Sequence, residues 1–161
     1  MVHGSGSPTN IVVTMPNRHT LKAYEHAMTM AVGCGKTANM LPRVEQFALA
    51  SQLRRAGYSA VLNIAEGAAR GSIKQQLQYY GIARSSIHES EVILELAVKM
   101  GYLHQKQIEL LQLQCDEAAR TLFGYMLSLE SQLAAASRLK GARAATALIV
   151  GLVTYLIATI R

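Results

Sequence analysis

The chain has 161 residues, half of them hydrophobic, with no Trp, three Pro and a formal net charge of +6. That length suits one domain with a proper core and is short for two. The positive charge would suit an anionic partner, but residues 21–136 hold eleven Lys/Arg against all ten Asp/Glu, so the excess lies at the ends. Cys34 and Cys115 stand in unrelated apolar contexts without a CxxC or Cys/His spacing. They read as reduced thiols of a cytoplasmic protein.

Residues 1–19 mix Gly, Ser, Pro and Asn without a period and read as a flexible leader, with order expected from near Met15. The charged start and long apolar core of a secretory signal are missing. Helix one is predicted from Thr20, as N-cap, to Ala38, with Gly33 and Gly35 weakening its interior. The segment Gly33-Cys34-Gly35-Lys36-Thr37 shares letters with a phosphate loop. Met30 stands where the first glycine is needed, and no strand precedes it. Pro42 opens helix two, predicted over 43–66, and Gly67, Gly71 and Ser72 form the next turn.

Helix three, predicted over 73–100, carries a heptad with Ile73, Tyr80, Ile87 and Leu94 in one seam position. Leu77, Arg84, Glu91 and Val98 fill the other, so Arg84 and Glu91 are expected to be buried and paired. Gly101 ends the helix. Helix four, over 105–136, repeats Ile108, Leu111, Cys115, Ala118, Leu122, Met126, Leu129 and Leu133 at three- and four-residue spacing. Short connections between four helices predict an all-α fold, an antiparallel up-down four-helix bundle over 20–136. A tail occupies 137–161. Arg138, Lys140 and Arg143 precede an uncharged stretch, Ala144–Ile160, read either as a short membrane anchor or as an extra apolar helix in an oligomer.

The densest signal is Ser51–Ser72. On an ideal wheel Gln52, Arg55, Ser59, Asn63 and Glu66 fall within about 80° of one another, with apolar residues filling most of the remaining arc. A surface helix has the opposite proportions, so helix two is expected to be enclosed, its stripe forming a polar network. Reflection about a turn near residue 70 predicts that Arg54 or Arg55 pairs with Glu89 or Glu91. Arg54, Arg70 and Lys74 are the candidate phosphate or partner contacts of the body, the last two beside the amides that open helix three. The five histidines, at 3, 19, 26, 88 and 104, form no metal spacing, and no Ser or Cys has a nucleophile's context, so neither metal, cofactor nor enzymatic activity is expected.

SQLRRA at 51–56, NIAEG at 63–67, RGS at 70–72, KMGYL at 99–103 and the acids Glu89 and Glu91 resemble the signature of the bacterial four helix bundle proteins. That family was first noticed as products of intervening sequences in large-subunit ribosomal RNA genes. The resemblance covers about residues 20–135 and implies an antiparallel bundle similar to homopentameric, barrel-like relatives. Among these is the accessory variability determinant of diversity-generating retroelements, which binds a reverse transcriptase and nucleic acid. By resemblance Gln52, Arg54, Arg55, Asn63, Glu66, Gly67, Arg70, Gly71, Ser72, Glu89 and Glu91 are motif positions, mostly structural. The expected function is therefore a non-enzymatic homo-oligomeric scaffold that binds RNA or DNA, or a reverse transcriptase, with a membrane-tethered module as the alternative. The apolar tail is no part of the family pattern.

Overall fold

Few breakers and regular apolar spacing produce four helices in the computed structural model, which describes residues 21–159. These are α1 (Lys22–Ala38), α2 (Leu49–Ala68), α3 (Ile73–Lys99) and α4 (Gln105–Thr159), with a 3₁₀ turn at Arg43–Glu45. No strand occurs among the described residues. α1 and α3 each pack against both α2 and α4, which closes the bundle around one core.

Helix ends follow local chemistry. Ser72 Oγ accepts the Gln75 N–H at 3.2 Å, the N-cap that the sequence indicates for α3. At the other end Gly101 takes φ 73°. Gly101 N–H donates to Val98 O and Tyr102 N–H to Ala97 O, both at 2.9 Å, which satisfies the last carbonyls in a Schellman arrangement. The Gln107 side chain accepts the His104 N–H at 2.7 Å, one half of a capping box that opens α4.

Other boundaries differ from expectation. Thr20 lies outside the described residues, and Leu21 occupies the N-cap position of α1. α2 starts at Leu49 rather than 43, because Glu45 turns its carboxylate onto the Leu49 N–H at 3.3 Å. Val44 and Phe47, 77% and 98% exposed, give the preceding stretch nothing to pack. Gly67 belongs to the helix, not to the turn.

The core holds Met30, Leu53, Ile64, Tyr80, Ile87, Leu94, Ile108 and Leu122, all inaccessible to solvent. Burial of each such side chain contributes about 2 kcal/mol. Within α3, Tyr80, Ile87 and Leu94 face inward as expected, but the second inward line is Gln76, Ala83, Ser90 and Ala97. The helix is rotated by one residue from the predicted seam. Arg84 is consequently exposed, not buried, and lies 4.8 Å from the centre of the Phe123 ring. Small residues let backbones approach: a Cβ on Gly57 would meet the Cα of Ala31 at 3.2 Å, and one on Gly67 would come within 2.5 Å of the Tyr80 ring.

α4 departs furthest from the prediction. It does not stop at Ala136 but continues unbroken for 55 residues, about 82 Å at 1.5 Å per residue. α3, at 27 residues, reaches about half of that. Every proline lies upstream, and Gly141 and Gly151 each cost only about 1 kcal/mol in a helix. Leu129 is the last buried residue among those described, and after it all side chains whose exposure is described are exposed except Ala136. The expected separate C-terminal helix is thus an overhang of α4. Among the described residues no helix is long and apolar enough to cross a membrane. The leader 1–19, Ile160 and Arg161 fall outside the described residues.

Candidate interaction surfaces

α2 and α3 meet through serines rather than ions. Ser59 Oγ and Ser86 Oγ lie 2.8 Å apart. Asn63 Nδ2 donates to the Ser59 carbonyl at 2.8 Å and reaches Ser59 Oγ at 3.2 Å. Ser90, fully buried, donates back to the Ser86 carbonyl at 3.1 Å. The middle of the polar stripe therefore forms a small hydroxyl–amide network. Its ends do not join it: Gln52, Arg55 and Glu66 are exposed, as are Tyr58 (53%) and Leu62 (66%) on the apolar arc. Within one chain α2 is covered on only part of its circumference.

The predicted bridges from Arg54 or Arg55 to Glu89 or Glu91 are not formed among the described residues. Arg54 Nη2 donates to Asn39 Oδ1 at 2.8 Å and Gln46 Oε1 at 3.3 Å, which ties the α1–α2 connection to α2. Glu91 sits beside His88 Nδ1 at 3.3 Å on its own helix, and Glu89 is exposed. The reason is register. Ser59 opposite Ser86, and Gly67 against Tyr80, centre the reflection near Ile73 rather than residue 70. The one-residue rotation of α3 further turns small side chains toward its neighbours.

At the α2–α3 turn Arg70 pairs with Glu66, donates to Tyr79 Oη at 2.8 Å and stacks 4.7 Å from the Tyr79 ring centre. Its carbonyl accepts Gln76 Nε2 at 2.9 Å. Arg70 is thus a turn clamp, while Lys74 stands exposed one turn on. Arg138, Lys140 and Arg143 are all exposed on the α4 overhang.

Two surfaces escape sequence reasoning. Between α1 and α2 lies an apolar groove of about 430 Å³ lined by Met28, Ala31, Val32, Gly35, Tyr58, Val61 and Leu62. Between α3 and α4 lies an acidic one of about 610 Å³ lined by His88, Glu91, Glu95, Glu109, Gln112, Leu113 and Asp116. The signal for the first is the width of apolar surface on α2, more than one bundle face can bury. The second needs the register of α3 against α4, which periodicity alone does not provide.

The two thiols are buried. Burial pushes the Cys34 thiol up to about 11 and raises Cys115 as well. Burial also raises the Tyr80 hydroxyl, whose ring meets Tyr125 edge-on at 5.6 Å. Such groups stay protonated and serve packing, not nucleophilic attack.

The chain is similar to a solved protein of unknown function from the S23 ribosomal protein family of Bacteroides thetaiotaomicron. Identity is 23% and the TM-score 0.61, with 65% of this chain and 97% of that one covered. At that identity the likeness establishes a shared helical fold. The comparison with curated proteins gave no match. The 23S rRNA-intervening sequence proteins match over residues 19–124, which takes in α1, α2, α3 and the first part of α4. On these grounds the chain belongs to the 23S rRNA-intervening sequence protein family.

Proposed function

We propose that the protein is a non-catalytic helical scaffold that associates with itself and holds nucleic acid, or an enzyme acting on nucleic acid, on the exposed positive part of α4. The observation that carries this reading is the distribution of charge. Glu130 is the last acidic residue of the chain, and Arg138, Lys140 and Arg143 come after it on exposed helix. Arg54 and Arg70 are already engaged inside the chain, so phosphate contacts fall to the overhang and to Lys74. The half-exposed apolar groove between α1 and α2 supports self-association, because such surface is covered in stable assemblies. The short connections favour an up-down order of the helices. A ring of five copies and a reverse transcriptase of a diversity-generating retroelement are the specific partners that the family resemblance suggests.

A filter-binding titration with structured RNA and duplex DNA tests it. Three phosphate contacts predict that log affinity falls with log salt at a slope of about −2.7 for duplex DNA. The full chain with Arg138, Lys140 and Arg143 all changed to Gln should lose most of that slope. Equal affinity of the two proteins at low salt would remove the overhang from the reading.

A further inference from the structure

We infer that the α4 overhang is also a docking element for a second copy of this chain, lying antiparallel along that copy's α4 with Arg138 at the acidic α3/α4 groove. The reciprocal contact forms at the same time. The inference goes beyond the proposed function and draws on the same Arg138, which a docked copy holds on a carboxylate instead of on phosphate.

Helix α4 is divided by charge. From Gln105 to Glu130 it has Lys106 and Arg120 against Glu109, Asp116, Glu117 and Glu130, whereas 131–159 has three cations and no acid. Parallel pairing would set the cations of two copies side by side; antiparallel pairing sets each basic half against an acidic one. The lengths agree, because both halves span about 40 Å. The groove offers four carboxylates, Glu91, Glu95, Glu109 and Asp116, and no Lys or Arg lines it.

The outward stripe of α4 fixes the register. On the body it presents Leu113, Phe123 and Leu127, 65%, 42% and 48% exposed. Two heptads on either side of Leu127 stand Leu113 and Gly141. A two-fold axis at Leu127 therefore lays Leu113 of each copy against Gly141 of the other, bulk against its absence. The same axis brings Asp116 opposite Arg138. Lys140 and Arg143 fall on the far side of the overhang, about 140° and 160° from the stripe, so of its three cations Arg138 alone meets a carboxylate of the second copy. Leu148 and Leu152, 75% and 65% exposed, then reach the α3–α4 turn of the second copy, where Met100 is 52% exposed. The contact runs along about 40 Å of helix on each copy, and being isologous it joins copies in pairs.

Cross-linking at the axis tests this. In the full chain Leu127→Cys places an exposed thiol next to its own mate, while both native thiols are buried. Mild oxidation should give a covalent dimer on non-reducing gels. Adding Arg138→Glu and Lys140→Glu should lower its yield about tenfold. A Leu127→Cys chain with Glu109→Lys and Asp116→Lys should fail likewise, and mixing the two failed chains should restore the dimer. Absence of the Leu127→Cys dimer in a protein that circular dichroism finds helical overturns the docking. So does a dimer insensitive to both charge reversals. If the Arg138→Glu, Lys140→Glu chain loses nucleic acid but still cross-links, docking fails and the proposed function stands. If it loses the dimer while the unreversed chain never binds nucleic acid, the proposed function fails and docking stands.

Discussion

Gly67 shows how much one side chain decides. It is the last letter of the NIAEG motif, and the space where its Cβ would stand is taken by the ring of Tyr80, a residue with no solvent exposure. Gly67→Ala forces that ring to move and should destabilise the fold by about 1–3 kcal/mol. A shifted denaturant midpoint reads the effect, and Tyr80→Leu in the same chain should recover part of it. The buried thiols supply a second test. Cys34 titrates near 11 in the fold against 9.0 unfolded. Above pH 9 the unfolded chain therefore sheds a proton that the native state keeps, and stability falls as pH rises. Cys115 is raised too and adds in the same direction. The melting temperature should hold below pH 9 and drop between 9 and 11, with a loss of about 3 kcal/mol from Cys34 alone. The Cys34→Ala chain should show a shallower decline over that range.

The helices separate what periodicity can tell from what it cannot. α1 and α3 were legible within a residue or two, because Ser72 and Gly101 are strong local stops and the apolar spacing is regular. The rotation of α3 was not. Two seams compete on that helix, one through Leu77, Arg84 and Glu91 and one through Gln76, Ala83 and Ser90, and a hydrophobicity count prefers neither. The unfavourable prospect of burying Arg84 and Glu91 was the available clue, and small residues at close helix contacts were the answer. The candidate site suffered in turn: Ser59 and Asn63 do form a network with α3, but through Ser86 instead of a carboxylate. At the far end, the Ser, Arg, Lys and Gly letters of 137–143 resemble a linker, yet none of them stops a helix. Because Leu129 is the last buried residue among those described, a chain ending at Glu130 should unfold within about 0.5 kcal/mol of the full one at high dilution. A loss several times larger in a denaturant titration would mean that the overhang folds back on its own bundle.

At the scale of the molecule, a neutral bundle carries a positive shaft. Family resemblance covers the bundle, and the match ends at residue 124, before the shaft leaves it. The family therefore accounts for the fold and the α2 motif, while the binding proposed above lies on the shaft, outside the matched residues. An unbroken α4 has a mechanical consequence. Body and tip share one axis, so the direction in which Arg138 points is an angle inherited from Leu129 through every intervening residue. Adding or removing one residue there turns the whole tip by about 100°; seven residues restore the bearing to within about 20°. A seven-residue insertion would carry Arg138 from Asp116 to Glu109 on the second copy, still against a carboxylate. Length in this segment can therefore change only in near-whole heptads if the positive face is to keep its aim, which makes α4 a phase-locked spacer rather than a tether.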